Sequence, residues 1–136
     1  MLNRRLLAAL AVASLFAIGC GKPDPINETH QGRLEAGDST HPSDNSFFDE
    51  YSFKAGEGYT ITVNMTSTEV DPYLHLRGPD GTDIQQHDDI EPGTNLNARI
   101  TMAAPATGEY TVLANSAAQG ETGAYTVTIQ TTAPAN

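Results

Sequence analysis

The chain has 136 residues, with 17 Asp and Glu against 7 Lys and Arg and a formal net charge of −10. That length suits one domain, and that charge makes nucleic acid and anionic lipid surfaces poor partners on electrostatic grounds. Cys20 is the single cysteine, so no intrachain disulfide can form and stability must come from a packed core or a bound cation.

In chain order, a basic start (Met1 to Arg5) is followed by an apolar run (Leu6 to Ile18) and small residues before Cys20. This is the secretory pattern, and the run is too short to span about 30 Å of hydrocarbon comfortably. Ile18-Gly19-Cys20 resembles the lipobox of bacterial lipoproteins, although Ala17 stands where that family usually has Leu or Val. The resemblance implies a signal helix over residues 1–19, removal of that segment, and acylation of Cys20. Several acyl chains at about 0.8 kcal/mol per buried methylene would hold the chain on a membrane without spanning it. Gly21, rather than Asp, after the cysteine implies transfer to the outer membrane. An ordinary cleaved signal with a chance thiol is the alternative. The remainder keeps all 17 acidic residues and loses Arg4 and Arg5, so it is more acidic still. Residues 20–31, with Pro23 and Pro25 and few apolar side chains, have the composition of a flexible tether.

From residue 32 to residue 131 the pattern changes to short alternating segments separated by Gly, Pro, Asp and Asn, and residues 132–136 form a tail. Tyr59 to Met65 alternates apolar and polar without a break, as a half-buried antiparallel strand requires. Leu74 and Leu76 share one face of the segment Tyr73 to Arg77. Gly78-Pro79-Asp80-Gly81 then makes a tight turn toward Ile84, because Pro fixes φ, Asp caps the turn and Gly accepts a positive φ. Leu96, Ala98, Ile100 and Met102 share a face before Pro105, Tyr110 and Val112 share one after Gly108, and Tyr125, Val127 and Ile129 share one after Gly123. Gly108-Glu109-Tyr110-Thr111-Val112 and Gly123-Ala124-Tyr125-Thr126-Val127 echo each other, which reads as shared turn-then-strand chemistry. The fold class expected is all-β, an antiparallel two-sheet β-sandwich with a jelly-roll-like character.

Seven short motifs then occur in order: Gly32-Arg33-Leu34 with Gly37-Asp38, Asp49 to Phe53, Asp71 to Leu74, Pro79 to Gly81, Asp88-Asp89, Ala106 to Val112, and Gly123 to Val127. Together they resemble the bacterial pre-peptidase C-terminal domain, a β-sandwich usually appended to secreted peptidases and similar to collagen-binding domains of clostridial collagenases. No peptidase accompanies it in this sequence. The resemblance implies a noncatalytic binding or accessory module, with a protein, peptide or polysaccharide ligand. A structural subunit of an envelope complex is the second reading, and a small hydrolase the third.

The residues agree with the first reading. No Gly-x-Ser-x-Gly elbow occurs, and His30, His41, His75 and His87 are dispersed with no zinc-type spacing. His75 lies opposite Leu74 and Leu76 in the alternation and reads as a solvated strand residue. With Tyr73 and Arg77 it forms the expected ligand-binding patch on one sheet face. Asp49 shares the inward face of Tyr51 and Phe53, where a carboxylate needs donors or a cation. Asp71, Asp88 and Asp89 sit at strand ends that loops can bring together. Asp49, Asp71, Asp88 and Asp89 are therefore candidate ligands for calcium, which takes about six to eight oxygens in flexible geometry. Asx caps on turn amides are the competing reading of the same carboxylates.

Overall fold

The structure is a computed structural model and describes residues 21–135. Nine strands follow one another: β1 (Asn27–Leu34), β2 (Ser39–Thr40), β3 (Phe47–Ala55), β4 (Thr60–Thr66), β5 (Pro72–Arg77), β6 (Asp83–His87), β7 (Ala98–Ala103), β8 (Gly108–Ser116) and β9 (Gly123–Thr132). They form two antiparallel sheets, four-stranded in the order β1-β9-β4-β7 and five-stranded in the order β2-β3-β8-β5-β6. This is the expected all-β sandwich. Among the described residues there is no helix, and so none long and apolar enough to cross a membrane.

Alternation explains the layers. In β4 the side chains of Ile61, Val63 and Met65 are wholly buried while Thr62 and Asn64 face outward. Val127 and Ile129 of β9 and Ile100 of β7 extend that inward surface. Phe53, Leu74, Leu76 and Val112 answer it from the five-stranded sheet. Each such side chain contributes roughly 1.5–3 kcal/mol on burial, which is how a chain without disulfides holds two sheets together. The Tyr110 hydroxyl donates to the Ala106 carbonyl at 2.5 Å and accepts from the Ala106 amide at 3.2 Å, tying β8 to the loop before it. The expected turn joins β5 to β6, with the Gly81 amide donating to the Gly78 carbonyl at 2.9 Å and Gly81 at φ 83°.

Three expectations need correction. The tether does not extend to residue 31, because Asn27 to Gln31 pair with Gln130 to Thr126 of β9 as part of β1. The sandwich therefore begins at Asn27, ahead of residue 32, and Thr131 Oγ1 accepts from the Ile26 amide just before it. Leu96 does not share the inward face of β7: it lies in the loop before that strand and is 46% exposed. The third concerns His75, which is buried rather than solvated, being only 5% exposed. The signal helix over residues 1–19 and the acylated Cys20 lie outside the described residues.

Candidate functional site

The outer face of the five-stranded sheet carries the expected row Tyr73, His75 and Arg77 on β5. The row is partly covered. Strand β2 pairs with the start of β3, and the loop His41 to Ser46 folds back from it over β8 and β5. Ser46 Oγ donates to Asn115 Oδ1 at 2.9 Å, and Asn115 Nδ2 donates to the Phe47 carbonyl at 2.6 Å, which pins this loop to β8. Asn45 adopts φ 58° within it, a left-handed conformation that Asn tolerates better than most residues. The His41 ring lands on His75, nearly parallel, with centroids 4.3 Å apart.

The surroundings of His75 are ionic on one side. Its Nδ1 lies 3.4 Å from Asp83 Oδ2, and His41 Nε2 lies 3.9 Å from the same oxygen. Arg77 Nε holds the other oxygen, Asp83 Oδ1, at 3.2 Å, and Arg77 Nη1 reaches Glu50 at 3.4 Å. Burial lowers the His75 pKa, the neighbouring His41 lowers it further, and Asp83 and Asp44 oppose both. His41 and His75, two of the four histidines dispersed in sequence, are thus brought together as a pair that their spacing does not announce. Tyr73 remains partly exposed and donates from its hydroxyl to Gln86 Oε1 at 2.9 Å.

Of the four carboxylates expected to gather, three do. Asp71, at the entry to β5, meets Asp88 and Asp89, which follow β6, and one oxygen from each lies within 4.8 Å of the others. Asp71 Oδ1 and Asp89 Oδ1 are buried without a hydrogen-bond partner. The Asp71 amide donates to Glu121 Oε2 at 3.3 Å, so a fourth carboxylate stands nearby. Desolvation, then repulsion from Asp88, Asp89 and Glu121, pushes the Asp71 carboxyl up to about 6. Asp88 is raised by desolvation and by Asp89. Crowded oxygens that lack donors fit a hard divalent cation such as calcium, with Asp71, Asp88 and Asp89 as the side chains that would hold it.

Asp49 is not part of that cluster. In register it lies opposite Ala114, which lies opposite Leu74, which lies opposite His87, three strand spacings or about 14 Å across the sheet. Its side chain points between the sheets, where the Tyr125 hydroxyl donates to Asp49 Oδ2 at 2.5 Å and lies 2.6 Å from the Tyr51 hydroxyl. The donor that an inward carboxylate needs is a phenol from the opposite sheet. Burial raises the Asp49 pKa despite that bond and raises the Tyr125 pKa well above its usual value.

A further feature went unread in the sequence. The outer face of the four-stranded sheet is uncharged over much of its width, with Thr62 and Asn64 on β4 and Thr126 and Thr128 on β9. At one end of this face lies a groove of about 530 Å³. Its floor includes Gln31, Thr66 and Thr126, and Ser67 to Glu69 form a wall. That wall is fixed by Ser67, whose hydroxyl donates to the Ala124 carbonyl at 2.7 Å and accepts from the amides of Glu69 and Val70. The alternation assigns these threonines to solvent but gives no sign of a concavity.

Comparison with protein families matches residues 47–116 to the bacterial pre-peptidase C-terminal domain. The chain belongs to that family. The match runs from β3 through β8 and takes in the whole of the 71/88/89 cluster and all of β5. The pre-peptidase C-terminal domain of a collagenase from Bacillus anthracis is similar in structure, with a TM-score of 0.55 at 14% identity, covering 76% of this chain and 89% of that one. PliG of Aeromonas hydrophila, a periplasmic lysozyme inhibitor of g-type lysozyme, gives a TM-score of 0.53 at 14% identity, covering 79% and 86%. No match was found among curated proteins. At these identities the structural likenesses establish the sandwich fold.

Proposed function

We propose that this chain is a noncatalytic binding module of the bacterial cell envelope, anchored by lipid on Cys20, whose ligand is a protein. The observation that carries the reading is the polar groove on the open face of the four-stranded sheet. Its floor is uncharged in a strongly acidic chain and formed by sheet residues, and its wall, the Ser67 to Glu69 loop, is held by hydrogen bonds. Membership of a family whose domains accompany secreted peptidases supports an accessory role. The likeness to PliG supports a protein ligand and an extracytoplasmic location, since that protein is a periplasmic inhibitor of an enzyme. The basic and apolar start followed by Ile18-Gly19-Cys20 supports the lipid anchor and outer-membrane transfer. Calcium at Asp71, Asp88 and Asp89 stabilises the β5 and β6 ends in this reading; two orphaned carboxylate oxygens support it.

Two variants test the proposal. Affinity purification of the wild-type chain from envelope extracts should retain a discrete protein that Thr126→Trp, which fills the groove, does not retain. Retention of the same set by both chains would remove the groove as the ligand site. Cys20→Ala should move the chain from the membrane fraction to the soluble fraction and abolish palmitate labelling. Unchanged partition would refute the anchor.

A further inference from the structure

The His41, His75 and Asp83 cluster is independent of the groove and of the calcium reading. Two imidazoles from distant points in sequence are stacked at 15° and buried together, with the side chains of His41 and His75 only 9% and 6% exposed. His75 Nδ1 is buried and has no hydrogen-bond partner, although Asp83 Oδ2 lies only 3.4 Å away. Leaving such a nitrogen unsatisfied costs about 1–3 kcal/mol, so the arrangement is expensive unless something occupies the space it faces.

We propose that His41 Nε2, His75 Nδ1 and Asp83 Oδ2 form a binding site for a divalent transition-metal ion of the zinc class. Ligands at about 2.1 Å in a tetrahedron stand about 3.4 Å apart. The His75 Nδ1 to Asp83 Oδ2 separation is already 3.4 Å, His41 Nε2 to Asp83 Oδ2 is 3.9 Å, and the three ligand atoms all lie within 4.8 Å of one another; one imidazole must rotate out of the stack to aim its lone pair at the shared ion. The surrounding groups hold the ligands as metal sites require. Arg77 occupies Asp83 Oδ1 and leaves Oδ2 facing the histidines. His41 Nδ1 lies 2.6 Å from Ser43 Oγ and accepts from the Ser43 amide at 3.3 Å, which fixes the ring with Nε2 directed toward Asp83. Two imidazoles and one carboxylate suit zinc, copper or nickel and suit calcium poorly, whereas the all-oxygen cluster at Asp71 has the opposite preference. The three residues come from the loop after β2, from β5 and from β6. A metal there clamps the loop over the sheet and makes the covering of its outer face metal-dependent.

The test is calorimetric titration of the EDTA-stripped full chain with zinc, with cobalt as a spectroscopic substitute. The expected result is one equivalent bound at micromolar Kd or tighter, and a cobalt spectrum of tetrahedral type with nitrogen ligands. At a hundredfold excess over Kd, zinc should raise Tm by about 10 °C. His41 and His75 are both buried, so replacing either can perturb folding; Asp83→Asn, at the exposed ligand, carries the test, with His41→Gln as a second variant read by its Tm in EDTA. Each should weaken zinc at least about tenfold while Tm in EDTA stays near the wild-type value. Asp71→Asn should leave zinc affinity unchanged. Absence of binding at millimolar zinc, affinity unaffected by both variants, or loss of zinc only in Asp71→Asn would overturn the proposal.

Discussion

Replacing Asp71 by Asn should stabilise the chain at neutral pH in the absence of divalent cations. The Asp71 carboxyl is pushed from 3.8 up to about 6 by desolvation, with added repulsion from Asp88, Asp89 and Glu121. At 1.36 kcal/mol per unit the ceiling on that penalty is about 3 kcal/mol. The group is partly exposed, so solvent screening reduces it to about 1 kcal/mol. An Asn there removes one negative charge and can donate from its amide to Asp89. Because the folded pKa lies above the unfolded one, the folded chain binds more protons between pH 3.8 and about 6, and wild-type stability recovers as pH falls through that window. The penalty is fully present above about pH 6 and absent below 3.8. Urea unfolding in EDTA should therefore show Asp71→Asn about 1 kcal/mol more stable than wild type at pH 7.5, or roughly 4 °C in Tm, and equal to it at pH 3.5. Calcium should reverse the order at pH 7.5, since a hundredfold excess over Kd adds about 2.7 kcal/mol to a chain that binds it. A variant less stable than wild type at pH 7.5 in EDTA, or an equal gain at both pH values, would refute this account of the cluster.

Tyr110→Phe removes the hydroxyl that serves both polar groups of Ala106, and differential scanning calorimetry should show a loss of about 1–3 kcal/mol with zinc affinity unchanged. Gly32→Ala would set a methyl against the Tyr125 hydroxyl and 2.7 Å from the Tyr51 hydroxyl, both on rings fixed inside the sandwich. A loss of about 1–3 kcal/mol in chemical denaturation is expected there, with the Asp49 to Tyr125 hydrogen bond displaced. Leu76→Ala opens a cavity at a wholly buried position and should cost about 2–5 kcal/mol in the same assay.

How far the chain could be read in advance depended on which side of each sheet faced the core. Ile61, Val63 and Met65, or Val127 and Ile129, announce their strand because burial on one face and water on the other enforces period two. The same logic misreads His75, since it treats every residue opposite Leu74 and Leu76 as solvated. The outer face at that point is covered by a two-residue strand and a loop whose own sequence, His41 to Ser46, carries no periodicity. One trace of the covering was present: Val112-Leu113-Ala114 is apolar on both faces, and Leu113 is wholly buried on the outer one, opposite His75. Asp49 was correctly turned inward, but its partner Tyr125 comes from the other sheet, and cross-sheet pairing is not encoded in local spacing. Asp71, Asp88 and Asp89 were legible as a group because all three stand at the ends of strands that neighbour one another.

The most direct test of the binding-module reading is in-cell photo-crosslinking. A photoreactive residue at Thr126, in the groove, is compared with one at Ser52, exposed on the outer face of the other sheet. The account predicts a discrete protein adduct from Thr126 and none from Ser52. No adduct at Thr126, or the same adduct from both positions, would contradict it.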